Sequence, residues 1–118
     1  MNVLIEELIA LAKEIKILYV EDNKGLRESI LSLLTKIFPH LTYAENGEIG
    51  YQRYREENPD IVLTDIKMPG MSGFDLAKAI KTDNSDVKII FISAFDEKEY
   101  LYEAIEIGAF RYLSKPTK

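Results

Sequence analysis

The stretch Ile61-Val62-Leu63-Thr64-Asp65-Ile66-Lys67-Met68-Pro69-Gly70 sets a short apolar run against an acid and the acid against a turn. Ile61 to Thr64 shows no regular polar alternation, the pattern of a strand buried on both faces, as in a parallel sheet covered by helices. Asp65 then stands at the carboxyl end of that strand, and Pro69-Gly70 turns the chain away. A second run, Ile15 to Val20, ends in Glu21-Asp22. Two parallel strands that each finish in acid bring their carboxylates to one edge of a sheet, where like charges repel unless a cation lies among them.

Outward from these two runs, short apolar segments alternate with amphipathic ones, as expected of successive β-α units. Strands are expected at Lys16–Val20, Leu41–Ala44, Ile61–Thr64, Lys88–Ile92 and Arg111–Leu113. Leu26, Ile30, Leu33, Leu34 and Ile37 recur at helical spacing before Pro39, and this stripe is expected to be core. A second helix should run from Asn46-Gly47 to Asn58-Pro59. Phe74, Leu76, Ala77 and Ile80 mark a third, and Tyr100, Leu101, Ala104 and Ile105 a fourth, with Gly108 placed as a left-handed cap. Right-handed crossovers make this a doubly wound sheet, whose ligands bind outside the carboxyl ends of the strands. Glu21, Asp22, Asp65, Ser93 and Lys115 all fall at such ends.

Composition excludes several classes of function. A chain of 118 residues is expected to form one domain. Its net charge of −5 argues against a direct nucleic-acid surface, which needs clustered Lys and Arg. The absence of cysteine removes thiolate metal sites and Cys nucleophiles, and a single histidine, His40, removes multi-imidazole zinc sites. The N-terminal apolar stretch is too short to span a bilayer and has neither the basic start nor the cleavage site of a signal peptide, so a soluble, cytoplasmic protein is expected.

Glu21, Asp22 and Asp65 offer only acceptor oxygens when ionised, and Mg²⁺ favours one or two carboxylates, a carbonyl and several waters. Ser93 adds a hydroxyl donor and Lys115 a compact positive charge. A phosphoryl group on Asp65 would bring three charged oxygens that cation, hydroxyl and ammonium could neutralise together. Singly, Asp65 or Ser93 reads as a cap, Lys115 as a solvated charge and Tyr112 as core. Their joint placement at strand ends favours a site.

The order Glu21-Asp22, Asp65, Ser93-Ala94, Lys115-Pro116 resembles the receiver domain of bacterial two-component response regulators, from about Ile15 to the end. The resemblance implies a flavodoxin-like five-stranded sheet of order 2-1-3-4-5. It implies that Asp65 accepts a phosphoryl group from a sensor histidine kinase or phosphotransfer protein. Asp22, Asp65 and the backbone carbonyl of Lys67 would hold Mg²⁺, with Glu21 reaching it through water. Ser93 and Lys115 would grip phosphoryl oxygens, Lys115-Pro116 would be a cis bond, and Tyr112 would swing inward with Ser93 as the switch. Output to a downstream protein would pass through Asp96–Leu113. Ser72 stands where the family more often has Asp. Lys67 and Phe95 would flank the path of water to the acyl phosphate and slow its loss. An aspartyl phosphatase would want an acid at Lys67, and a flavin carrier a phosphate-cradling loop at Glu21-Asp22. The remaining alternative is a scaffold receiver that binds partners without being phosphorylated.

At the two ends the pattern departs from the family. Receivers continue past Lys-Pro into a fifth helix, whereas this sequence stops at Pro116-Thr117-Lys118, so one sheet face is expected to be uncovered. Residues 1–14, set apart from a receiver domain at 15–118, carry Leu4, Leu8, Leu11 and Ile15 at helical-seam spacing. Such a helix would fill the vacant slot in its own chain, pair with a second copy in a homodimer, or be the remnant of a linker.

Overall fold

In the computed structural model, residues 2–94 and 98–115 are described. The five apolar runs form β1 (Ile17–Val20), β2 (Leu41–Ala44), β3 (Ile61–Asp65), β4 (Lys88–Ser93) and β5 (Arg111–Ser114). All neighbours are parallel, in the order β2-β1-β3-β4-β5. The helices are α1 (Val3–Ala12), α2 (Lys24–Leu34), α3 (Gly47–Glu57), α4 (Gly73–Asp83) and α5 (Lys98–Ile107).

Local chemistry sets the helix ends. Asn23, Asn46 and Ser72 each accept a backbone N–H from the first turn of α2, α3 and α4. Ser72 and Asp75 form a reciprocal capping box, so the residue that departs from the usual Asp is itself a strong N-cap. Asn58 ends α3 in the left-handed region with φ 50°, and Gly108 follows α5 with φ 92°.

The strand order reverses at β1, and right-handed crossovers therefore place α2 on one face of the sheet and α3, α4 and α5 on the other. On the three-helix face Leu18, Val20, Val62, Ile89 and Phe91 pack with Leu76, Ala77, Ile80 and Ala104 in one core. Phe74 meets both Phe91 and Tyr100 edge to face.

The other face differs from expectation. Strand residues Ile17, Tyr19 and Ile92 are buried, yet α2 has no fully buried side chain. Leu26, Ile30 and Leu34 are half-buried, while Leu33 and Ile37 are exposed, so the stripe expected to be core is only a partial lid. α2 also ends at Leu34, five residues before Pro39. A single helix shades the half of an apolar stripe that touches the sheet and leaves its flank in water.

The N-terminal helix forms, but its large apolar side chains are exposed and only Ala12 is buried. Among the described residues it does not pack along its own sheet. Its apolar face needs a broad partner, and the short turn from Lys13 to Lys16 leaves it lying off the sheet in this structure.

Candidate functional site

Strand register builds the rim. Val20 pairs with Thr64, which sets Glu21 beside Asp65, while Ser93 closes β4 opposite Ser114 and places Lys115 next. The Lys115 N–H donates to the Ser93 carbonyl at 2.7 Å, latching these two strand ends together. One carboxylate oxygen each from Glu21, Asp22 and Asp65 lies within 4.8 Å of the others. Glu21 and Asp65 are buried and Asp22 is exposed, so the trio opens to solvent on one side.

Lys115 is the positive centre of this group. Its Nζ lies 2.9 Å from Asp65 Oδ2 and 3.2 Å from Glu21 Oε1. Burial works against its charge, but the hydrogen bond and charge of Asp65, followed by those of Glu21, outweigh it and raise its pKa. Asp65 Oδ1 accepts the Ile66 N–H at 2.8 Å.

Glu21 Oε2 accepts the Asn23 N–H at 3.1 Å, and Arg27 binds the Glu21 carbonyl at 2.9 Å. Burial, partly offset by the Asn23 N–H and reinforced by the charge of Asp65, pushes the Glu21 carboxyl up to about 7. Its Oε1 faces Lys115 but has no hydrogen bond among the described residues. A buried carboxylate whose Oε1 is held only by an ion pair with Lys115, beside an exposed Asp22 and the Asp65 carboxylate, fits the all-oxygen shell of a hard divalent cation. On the α2 side, Tyr19 has a buried hydroxyl without a hydrogen bond among the described residues, and burial followed by the charges of Glu21 and Asp65 raises its pKa and keeps it a neutral phenol.

The loop after Asp65 is held from two sides. The Gly73 N–H donates to the Ile66 carbonyl at 2.7 Å, and a Cβ at Gly73 would fall 1.9 Å from the Asp65 carbonyl oxygen. Glu48, in the first turn of α3, accepts the Met71 N–H at 3.0 Å beside Gly70, whose φ of 77° favours glycine. Between these clamps Lys67 is exposed and Met68 buried.

Sequence reasoning assembled the acids, Ser93 and Lys115 but missed Asn23, Arg27 and Glu48. Asn23 was readable as a helix cap. Arg27 reaches back one helix turn beyond its cap to the Glu21 carbonyl and Glu48 acts across the chain, and neither carries a sequence motif that marks it. Ser93 is buried, and Tyr112 is half-buried against the three-helix core. Phe95, Asp96 and the Lys115–Pro116 bond lie outside the described residues. A cavity of about 230 Å³ sits at the opposite strand ends, lined by Lys16, Pro39, His40 and Glu57 among others. Its size does not make it the site, because ion and phosphoryl binding depend on convergent charge on an open rim rather than enclosed volume.

A doubly wound parallel sheet with acids on its first and third strand ends, a hydroxyl on the fourth and an ammonium after the fifth defines a class of signalling module that accepts charge at its rim. The chain belongs to the response regulator receiver domain family, whose sequence profile matches residues 17–118. Chemotaxis protein CheY of Bacillus subtilis is 36% identical over 102 residues, covering 86% of this chain and 85% of that protein. Sporulation initiation phosphotransferase F of the same organism is 33% identical over 101 residues, covering 86% and 82%. Among solved structures, a CheX and CheY complex with beryllium fluoride and magnesium from Borrelia burgdorferi superposes with a TM-score of 0.82 at 26% identity, covering 90% of this chain and 81% of that one. The described residues contain no helix long and apolar enough to cross a membrane.

Proposed function

We propose that this receiver accepts a phosphoryl group on Asp65 from a phosphohistidine of a sensor histidine kinase or phosphotransfer protein in the cytoplasm, and that Mg²⁺ assists. The observation that carries this reading is the Lys115 ammonium 2.9 Å from Asp65 Oδ2, inside a cluster of three carboxylates. An Asp65 oxygen attacks phosphorus, the P–N bond breaks, and the imidazole nitrogen keeps the electron pair. Asp22, Asp65 and the Lys67 carbonyl would hold the ion, with Glu21 reaching it through water. When bound, the ion neutralises charge between the attacking carboxylate and the phosphoryl oxygens. Lys115 turns from the carboxylate to a phosphoryl oxygen, and the Ser93 hydroxyl moves to another.

That movement draws Tyr112 inward and alters the α5–β5 side, a bistable packing element biased by a local charge change. The downstream protein partner would read this side, within Asp96–Leu113, where Leu101, Tyr102, Ile105 and Phe110 are exposed. The relative titled a phosphotransferase and the magnesium-containing CheY complex support the reading.

The test is incubation with Mg²⁺ and acetyl phosphate, followed by intact-mass measurement. A phosphoryl increment that disappears in Asp65→Asn supports phosphotransfer. An unmodified wild-type chain under conditions that modify a competent receiver assigns the domain to scaffolding instead.

A further inference from the structure

α1 presents Val3, Leu4, Ile5, Leu8, Ile9 and Leu11 to solvent, each between 46% and 67% exposed. Leu4, Ile5, Leu8, Ile9 and Leu11 share one side of a helix of three turns, a run of exposed apolar side chains that marks an interaction surface. A second copy of the same helix supplies a partner of matching length and shape, in a contact below the roughly 1,200 Å² of stable specific interfaces and therefore weak. Leu4, Leu8 and Leu11 form the seam. Glu7 flanks it on one side and Ile5 on the other.

The charges select an orientation. An antiparallel pair sets the Glu7 side of one helix against the Glu7 side of its partner, a like-charge contact. A parallel pair sets Glu7 against the apolar side that carries Ile5 and avoids it. Only Ala12 is committed to the helix's own domain, so the seam is free to meet a partner without unfolding anything.

We propose that two copies of this chain associate through a parallel pairing of their α1 helices, with Leu4, Leu8 and Leu11 at the contact. A seam this short gives a weak, concentration-dependent dimer. The pairing is independent of Asp65 and persists in Asp65→Asn.

Sedimentation equilibrium of the full chain between about 1 and 200 µM tests the association, a range in which weak reversible dimers form by mass action. Reversible dimerisation that the exposed double substitution Leu8→Lys, Leu11→Lys abolishes, with its circular dichroism melt unchanged, supports the proposal. A wild-type monomer throughout the range overturns it, as does a dimer that survives both lysines. The chain has no cysteine, so Leu4→Cys reports orientation. Rapid oxidation to a disulfide-linked pair supports the parallel arrangement, and a non-covalent dimer that does not cross-link overturns it.

Discussion

Glu21 is moved well away from its solution chemistry at the proposed site. Its carboxyl is raised from 4.5 to about 7, first by burial. The folded chain therefore holds a proton that the unfolded chain has released between these values. Glu21's contribution to stability is full below about pH 4.5 and is lost as pH rises through about 7. The shift sets an upper bound of about 3 kcal/mol. In metal-free buffer at pH 8, Glu21→Gln should be more stable than wild type by about 1–3 kcal/mol in urea denaturation, with the difference gone near pH 5. A wild type that is the more stable at pH 8 would mean that the Lys115 pairing outweighs burial. Gly73 is constrained by contact rather than by charge. Its φ is ordinary, but an added Cβ meets the Asp65 carbonyl. Gly73→Ala should cost about 3 kcal/mol by the overpacking scale. It should also reduce acetyl phosphate labelling, because the backbone that must yield is that of Asp65. The acids were legible in the sequence because each closes an apolar run. The raised pKa of Glu21 was not, since its burial and its neighbours Asp65 and Lys115 depend on strand ends that come together only in the fold.

Among the elements, the strands were the most legible, because unbroken apolar runs of four to six residues have few other ways to be buried. Expected and observed bounds differ by one residue at most. Cap chemistry was equally direct. Ser72 departs from the family's usual Asp, yet both types accept a first-turn N–H, and here Ser72 and Asp75 satisfy each other's backbone. Ser72→Ala should therefore lower stability by about 1 kcal/mol in urea denaturation, whereas Ser72→Asp should leave it within about 0.5 kcal/mol. A larger loss in the Asp variant would show that the added charge near Asp65 outweighs its capping. The stripe on α2 was less legible. Periodicity says which side of a helix is apolar, but the depth to which that side sinks depends on how many helices share the sheet face. Three share the face packed around Phe91, while α2 stands on the other.

For the whole molecule, the placement of α1 was the least legible feature. A seam of Leu4, Leu8 and Leu11 is satisfied equally by the chain's own sheet and by another molecule, and the pattern cannot distinguish them. The structure favours separation, because burial reaches only Ala12 while the core around Leu18, Val62 and Phe91 closes without help from the helix. Removing residues 1–10 should therefore leave the domain folded, with a change in unfolding free energy within about 1 kcal/mol. It should also leave acetyl phosphate labelling intact. The measurement is a urea transition at a concentration of about 1 µM, below that at which helix pairing would contribute by mass action. A truncated chain that unfolds would mean that α1 lies against the sheet in solution and protects Ile17, Tyr19 and Ile92. The half-exposed stripe on α2 would then be one edge of a core that α1 completes.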